Sequence, residues 1–245
     1  MITVFCFSYA GGVATDVYAE WGALLGPEYT VIPVDYPGRG TRHREPTATT
    51  PLELVRDAVT AIESHLRPRE RWSIFGHSMG AMVAYEAARM IRQDWDQSEP
   101  EALFLSGRRP PGDNPVVRLS ELDDEHLVGA AHAWGGIPPE FLTHPHLQPL
   151  IADKLRVDLA LSSYPLLDLP PLECPLQILC GNADPLVDTA QLPRWADETT
   201  QAVSIHLFAG GHFYFREVVA QVVSVIHHAL SAASEGVQDN VPVFS

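Results

Sequence analysis

The sequence predicts an α/β fold: a mostly parallel sheet with helices on both faces and a helical insertion. Three observations carry this. Short apolar runs alternate with longer amphipathic or Ala-rich runs from Ile2 to about Ser106, and strands alternating with helices imply a parallel sheet. The alternation stops between about Gly112 and Tyr164, where only helical stretches occur. It then resumes with two strand-like runs and a long final helix. A chain of 245 residues, 46% hydrophobic and 19% charged, has ample material for such a core.

Ile2 to Phe7 is a continuous apolar run with β-branched and aromatic residues, a buried strand. It ends in Ser8-Tyr9-Ala10-Gly11-Gly12, where two glycines let backbone N–H groups face an open site. Taken alone, the same residues also fit an ordinary strand-to-helix turn. Val17 to Leu25 fits a helix stopped by Gly26-Pro27. Val31 to Val34 is a short strand, followed by a turn-rich loop, Asp35 to Arg44, with a small basic cluster. Asp35 reads as a hydrogen-bonding loop residue. Pro51 to Leu66 carries Leu52, Val55, Val59, Ile62 and Leu66 on one helical stripe, with Thr50 as N-cap.

Trp72 to Phe75 reads as a buried strand and Ala81 to Met90 as a helix. Between them lies Gly76-x-Ser78-x-Gly80, the pattern of a nucleophile elbow. A sharp strand-to-helix turn strains the backbone at Ser78 and exposes its hydroxyl. Glycines on either side let strand and helix approach closely. The helix start aims free N–H groups at negative charge forming beside Ser78. A pentapeptide of such common residues also arises by chance in loops, so the rest of the chain must supply a base, an acid and an oxyanion hole.

Ala102 to Leu105 is the next strand. The stretch that follows is predicted to hold helices over Leu119 to His132 and Leu147 to Leu161, an insertion placed to form a lid. A helical excursion that only packs is the other reading. His126, His132, His144 and His146 match no metal spacing. Leu176 to Cys180 resumes the sheet and ends near Asp184 and Asp188. Acids just past strand ends are well placed for catalysis, and Asp184 is nearer the strand. Val203 to Phe208 is the last strand, followed by Gly210-Gly211-His212 and a helix to about Ala232. His212 follows two glycines in a loop, a suitable mount for a general base. His206 reads as structural, and His227 and His228 lie at the wrong end. The expected organisation is a core of residues 1–111 and 166–234, a helical insertion at 112–165 and a flexible tail at 235–245.

A net charge of -15 argues against nucleic acid as partner. Most positive charges are arginines, and Lys154 is the sole lysine. Cys6, Cys174 and Cys180 imply neither a disulfide framework nor a zinc site. No signal peptide or membrane-spanning run is evident, so the expectation is a cytoplasmic monomer without metal or cofactor.

Ser78, then Asp184, then His212 is the order used by α/β-hydrolases, each just past a predicted strand. Met79 and Ala10 are then the expected backbone donors of the oxyanion hole. At this point the chain resembles the type II, stand-alone editing thioesterases of polyketide and nonribosomal peptide assembly lines. The resemblance rests on Phe5 to Gly12, Tyr36-Pro37-Gly38-Arg39-Gly40-Thr41-Arg42, Gly76-His77-Ser78-Met79-Gly80, and Ser106 to Pro111. It continues through Gly135-Gly136-Ile137-Pro138, Leu155-Arg156-Val157-Asp158, Tyr164, Cys174-Pro175-Leu176 and Gly210-Gly211-His212-Phe213-Tyr214. Ser8 departs from it, standing where the family usually has Pro. The resemblance implies acyl thioesters on the phosphopantetheine arm of an acyl or peptidyl carrier protein as substrates, and removal of stalled or mis-primed acyl groups as the task. Carrier proteins are generally acidic, so Arg39, Arg42, Arg44, Arg108 and Arg109 are candidate docking residues; internal salt bridges are the alternative use for them. A small-molecule esterase or lipase, an acyltransferase with the same triad, and a carrier-binding protein with a silent site remain rival readings.

Overall fold

The computed structural model describes residues 1–67, 70–94, 99–112, 119, 121–164 and 167–235. Its centre is a six-stranded sheet in the order β2-β1-β3-β4-β5-β6. The strands are β1 (Ile2–Phe7), β2 (Tyr29–Val34), β3 (Arg71–His77), β4 (Leu103–Ser106), β5 (Leu176–Gly181) and β6 (Val203–Phe208). Every neighbouring pair is parallel. Parallel strands are covered on both faces, which is why β1, β3 and β4 are almost wholly buried.

Alternation along the strands sorts the core into two layers. Phe5, Phe7, Ile74, Leu103 and Leu105 pack with α3 (Pro51–His65) and α4 (Met79–Asp94). Val4, Cys6, Phe75 and Phe104 pack on the other face with α1 (Ala14–Val17), α2 (Trp21–Leu25) and α7 (Val219–Glu235). Thr50 caps α3, its hydroxyl accepting from the Glu53 N–H. The one helix expected over Val17 to Leu25 is instead two short ones, α1 and α2. Tyr18, between them, leaves helical geometry; its hydroxyl donates to the Phe7 carbonyl and its ring packs edge-on against Trp21. Tertiary contacts to β1 override the local pattern there.

Between β4 and β5 lie α5 (Asp124–Ala133), the short 3-10 turns Pro139–Thr143 and Pro145–Leu147, and α6 (Gln148–Leu161). They form a third apolar cluster around Leu127, Val128, Ile137, Leu155 and Leu159, against which Ala10 packs. The first of these helices starts at Asp124 rather than Leu119, because the Asp123 carboxylate caps it by accepting the His126 N–H. α7 runs to Glu235, slightly past the expected end; the expected tail from residue 236 on lies outside the described residues. Among the described residues, no helix is long and apolar enough to cross a membrane. Cys6, Cys174 and Cys180 are buried free thiols.

Candidate active site

Ser78 stands at the junction of β3 and α4 with φ 56°, the left-handed region, the one non-glycine there among the described residues. The turn is tight enough to exclude a side chain on either flank. A Cβ on Gly76 would lie 2.1 Å from the Gly80 carbonyl oxygen, and one on Gly80 would lie 2.2 Å from that of Phe7. The Ser78 amide donates to the Ser106 carbonyl at 2.8 Å, tying the elbow to β4.

Asp184 follows β5 and His212 follows β6, so adjacent strands deliver both to the sheet edge that holds Ser78. His212 Nδ1 lies 2.8 Å from Asp184 Oδ2. The second carboxylate oxygen of Asp184 accepts the Leu186 N–H, also at 2.8 Å. Asp188, the other acid of this loop, points elsewhere: it caps the following 3-10 turn by accepting the Ala190 N–H. Cys180, close to Asp184, is pushed up to about 12 by burial and by that carboxylate, so its thiol stays protonated at neutral pH.

Tyr9-Ala10-Gly11-Gly12 forms a turn closed by the Gly12 N–H on the Tyr9 carbonyl at 2.9 Å. Ser8, in the position where a Pro was expected from the family pattern, closes the loop a second way, its hydroxyl donating to the Gly12 carbonyl at 2.9 Å. Among the described residues, neither the Ala10 nor the Met79 N–H donates to a turn, loop or cap carbonyl. Ser78, Ala10 and His212 line one pocket. Its other walls are Tyr9 and Phe213 from the core and Leu127, Trp134, Ile137, Leu155 and Leu159 from the helices between β4 and β5. An apolar chamber of this kind suits the hydrocarbon part of an acyl group. Arg216 ties the histidine loop to those helices, donating to the Gly135 carbonyl at 2.8 Å and lying over the Phe213 ring.

Four of the five candidate docking arginines are engaged within the chain. Arg39 forms a bidentate ion pair with Asp158. Arg42 binds Glu45 and Asp57. Arg108 is buried, donating to Ser162 and Tyr164. Arg109 donates to the Leu186 carbonyl at 2.9 Å. Arg44 is exposed, and among the described residues it forms no ion pair. Asp35 is a loop organiser, accepting the N–H and hydroxyl of both Thr15 and Thr41.

Three other histidines have local partners. His126 pairs with Asp123, His132 with the Ile137 carbonyl and His206 with Gln177. Among the described residues, no His, Cys, Asp and Glu group is arranged to hold a metal. Sequence reasoning passed over His77, which is fully buried beside the elbow. Its Nδ1 lies 2.8 Å from the Ser106 hydroxyl, and its ring centroid 4.9 Å from that of His212. It also passed over Asp158, although the motif containing it was visible.

A parallel sheet with a strained serine elbow and an Asp–His pair following β5 and β6 defines an α/β-hydrolase. The thioesterase domain model matches residues 2–230, so the chain belongs to the thioesterase family, and its reaction is thioester hydrolysis. It is 32% identical to thioesterase PikA5 of Streptomyces venezuelae over 217 residues, 88% of this chain and 76% of that protein. Among solved structures, ClbQ from the colibactin NRPS/PKS pathway superposes with a TM-score of 0.86 at 28% identity, covering 95% of this chain and 98% of that one. The type II thioesterase BorB from the borrelidin biosynthetic cluster superposes at 0.78 with 29% identity, covering 94% and 92%.

Proposed function

We propose that the protein is a serine thioesterase that releases acyl groups from the phosphopantetheine arm of an acyl or peptidyl carrier protein, clearing stalled or mis-primed assembly-line modules. The observation that carries the chemistry is the shared pocket: Ser78 on its strained elbow and His212, backed by the buried Asp184, face one apolar chamber. The neighbour ClbQ, whose name places it in an NRPS/PKS pathway, and the type II thioesterase BorB support the substrate class.

His212 takes the Ser78 proton as the hydroxyl oxygen attacks the thioester carbonyl. Asp184 accepts from Nδ1, which leaves Nε2 as the base and steadies the imidazolium. The Met79 and Ala10 N–H groups bind the oxyanion, Met79 with the added field of the α4 N-terminus. His212 returns the proton to the departing pantetheine thiol. Water, deprotonated by His212, then cleaves the acyl-Ser78 ester and gives the free acid. Within the expected insertion 112–165, α5 and α6 with the turns that join them act as the lid, since they supply most of the apolar wall around the acyl chain. Docking of the acidic carrier uses Arg44, whose charge forms no ion pair among the described residues.

The test presents one acyl group on a phosphopantetheinylated carrier protein and on a small thiol, and follows release by mass spectrometry with Ser78→Ala as control. Faster, Ser78-dependent release of free acid from the carrier is the expected result. Equal or slower release from the carrier would return the substrate to the small-molecule esterase class, and transfer to an acceptor other than water would make the enzyme an acyltransferase.

A further inference from the structure

Three stretches far apart in the chain meet at one buried carboxylate. Asp158 sits on α6, one of the helices between β4 and β5, with its side chain only 3% exposed. Its Oδ2 accepts the Gly11 N–H at 2.6 Å and an Arg39 N–H at 2.8 Å, and its Oδ1 takes a second Arg39 N–H. Arg39 in turn lies over the Tyr36 ring at 5.3 Å. The Tyr36 hydroxyl donates to the Ser8 carbonyl at 3.0 Å.

The loop Ser8 to Gly11 is therefore pinned on both sides of Ala10. Tyr36 fixes the Ser8–Tyr9 peptide, one before the peptide that carries the Ala10 N–H, and Asp158 fixes the Gly11 amide just after Ala10. Gly11 itself has φ 81°, a conformation glycine adopts freely and leaves freely, so the turn needs an external hold. Charge-assisted bonds to a buried carboxylate are strong and directional, and a bidentate arginine leaves that carboxylate no freedom to swing away. Ala10 packs against the same apolar cluster that α6 helps to build.

We propose that Asp158 is a positioning residue for the oxyanion hole, holding the Ala10 N–H in place through Gly11. This rests on the reading of Ala10 as an oxyanion donor. Because Asp158 belongs to α6, seating of that helix over the acyl chain and assembly of the oxyanion hole are one event. An enzyme with α6 displaced keeps its serine and histidine but lacks an aligned donor, so an acyl group that does not seat that helix is attacked slowly.

The experiment compares the wild-type chain with Asp158→Asn and Arg39→Lys, using an acyl thioester and an alkyl trifluoromethyl ketone that mimics the tetrahedral intermediate at Ser78. Losing one oxyanion donor lowers kcat by roughly 10²–10³. Asp158→Asn is expected to lower kcat toward that range with KM within about threefold, and to weaken the ketone by the same factor as kcat/KM. Arg39→Lys keeps a positive charge on Asp158 without the planar fork and is expected to fall between wild type and Asp158→Asn. Far-ultraviolet circular dichroism confirms folding at the assay temperature; if Asp158→Asn does not fold, Arg39→Lys alone decides, through the same match of ketone affinity to kcat/KM. A fall in kcat with unchanged ketone affinity, or no change in either, overturns the assignment. A wild-type chain inert toward every acyl thioester overturns the functional reading instead, and ketone binding then judges Asp158 separately.

Discussion

His212 Nδ1 and Asp184 Oδ2 lie 2.8 Å apart in a pair sealed from solvent, with side-chain exposures of 4% and 0%. The Leu186 N–H holds the other Asp184 oxygen, so the carboxylate cannot rotate off the imidazole. Asp184→Asn keeps the shape of the site but offers an amide where a carboxylate accepted. It is expected to lower kcat on an acyl thioester by about 10⁴, as loss of the correct tautomer does in other serine triads. Steady-state kinetics with an unchanged melting temperature would support this; a loss below tenfold would remove Asp184 from the mechanism.

The elbow gives a stability prediction. Gly80→Ala puts a Cβ 2.2 Å from the Phe7 carbonyl oxygen, backbone against backbone, with no side chain free to yield. β1 and α4 must separate to admit it. A cost of about 3 kcal/mol or more is expected for such a forced shift, which lowers the melting temperature by about 6–12 °C for a chain of this size. Differential scanning calorimetry checks it, and a shift under about 2 °C would show that the junction is looser than the distances state.

What could be read from the sequence was local. β1 matches its expected limits because a continuous apolar run allows little else, and β6 because Val203, Ile205 and Leu207 alternate with Ser204 and His206. β3 runs on through Gly76 and His77 to its pairing with β4, although the Gly-x-Ser-x-Gly pattern reads there as turn. Gly76 and His77 remain in register with Leu105 and Ser106, and the turn is compressed into Ser78 alone. Ser78, Asp184 and His212 were legible because each follows a strand end and keeps a recognisable order. Asp158 was not, as its partners Gly11 and Arg39 are 147 and 119 residues away. Nor could sequence tell that Arg39, Arg42, Arg108 and Arg109 find acceptors inside the chain, since a basic cluster looks the same whether paired or free.

That difference separates two substitutions. Arg42→Glu sets a carboxylate against Asp57 and Glu45, and is expected to cost stability before it says anything about docking. Arg44→Glu disturbs no ion pair among the described residues. It is expected to raise KM for a carrier-bound acyl group about three- to tenfold and leave a small thioester unaffected, with the difference shrinking at high salt. Equal effects on both substrates would place docking elsewhere.

His77 makes stability depend on pH. It is fully buried, and its pKa lies well below the ordinary histidine value, first because burial disfavours its charged form and then because His212 and Arg216 stand nearby. Its Nε2 has no hydrogen-bond partner among the described residues. The ring is therefore neutral in the folded protein, while in the unfolded chain it takes up a proton below about pH 6.5. The unfolded state binds more protons there, so stability is full above about pH 6.5 and falls as pH drops beneath it. A single site of this kind costs up to ~1.4 kcal/mol per pH unit. His77→Asn keeps a polar group facing the Ser106 hydroxyl and removes the titration. Urea unfolding from pH 8 to pH 5 is expected to give a shallower loss of stability for the variant, the two curves converging as the solution acidifies. Parallel curves would mean that His77 takes up its proton in the folded protein as readily as in the unfolded chain, and the buried ring would then need an acceptor at Nε2.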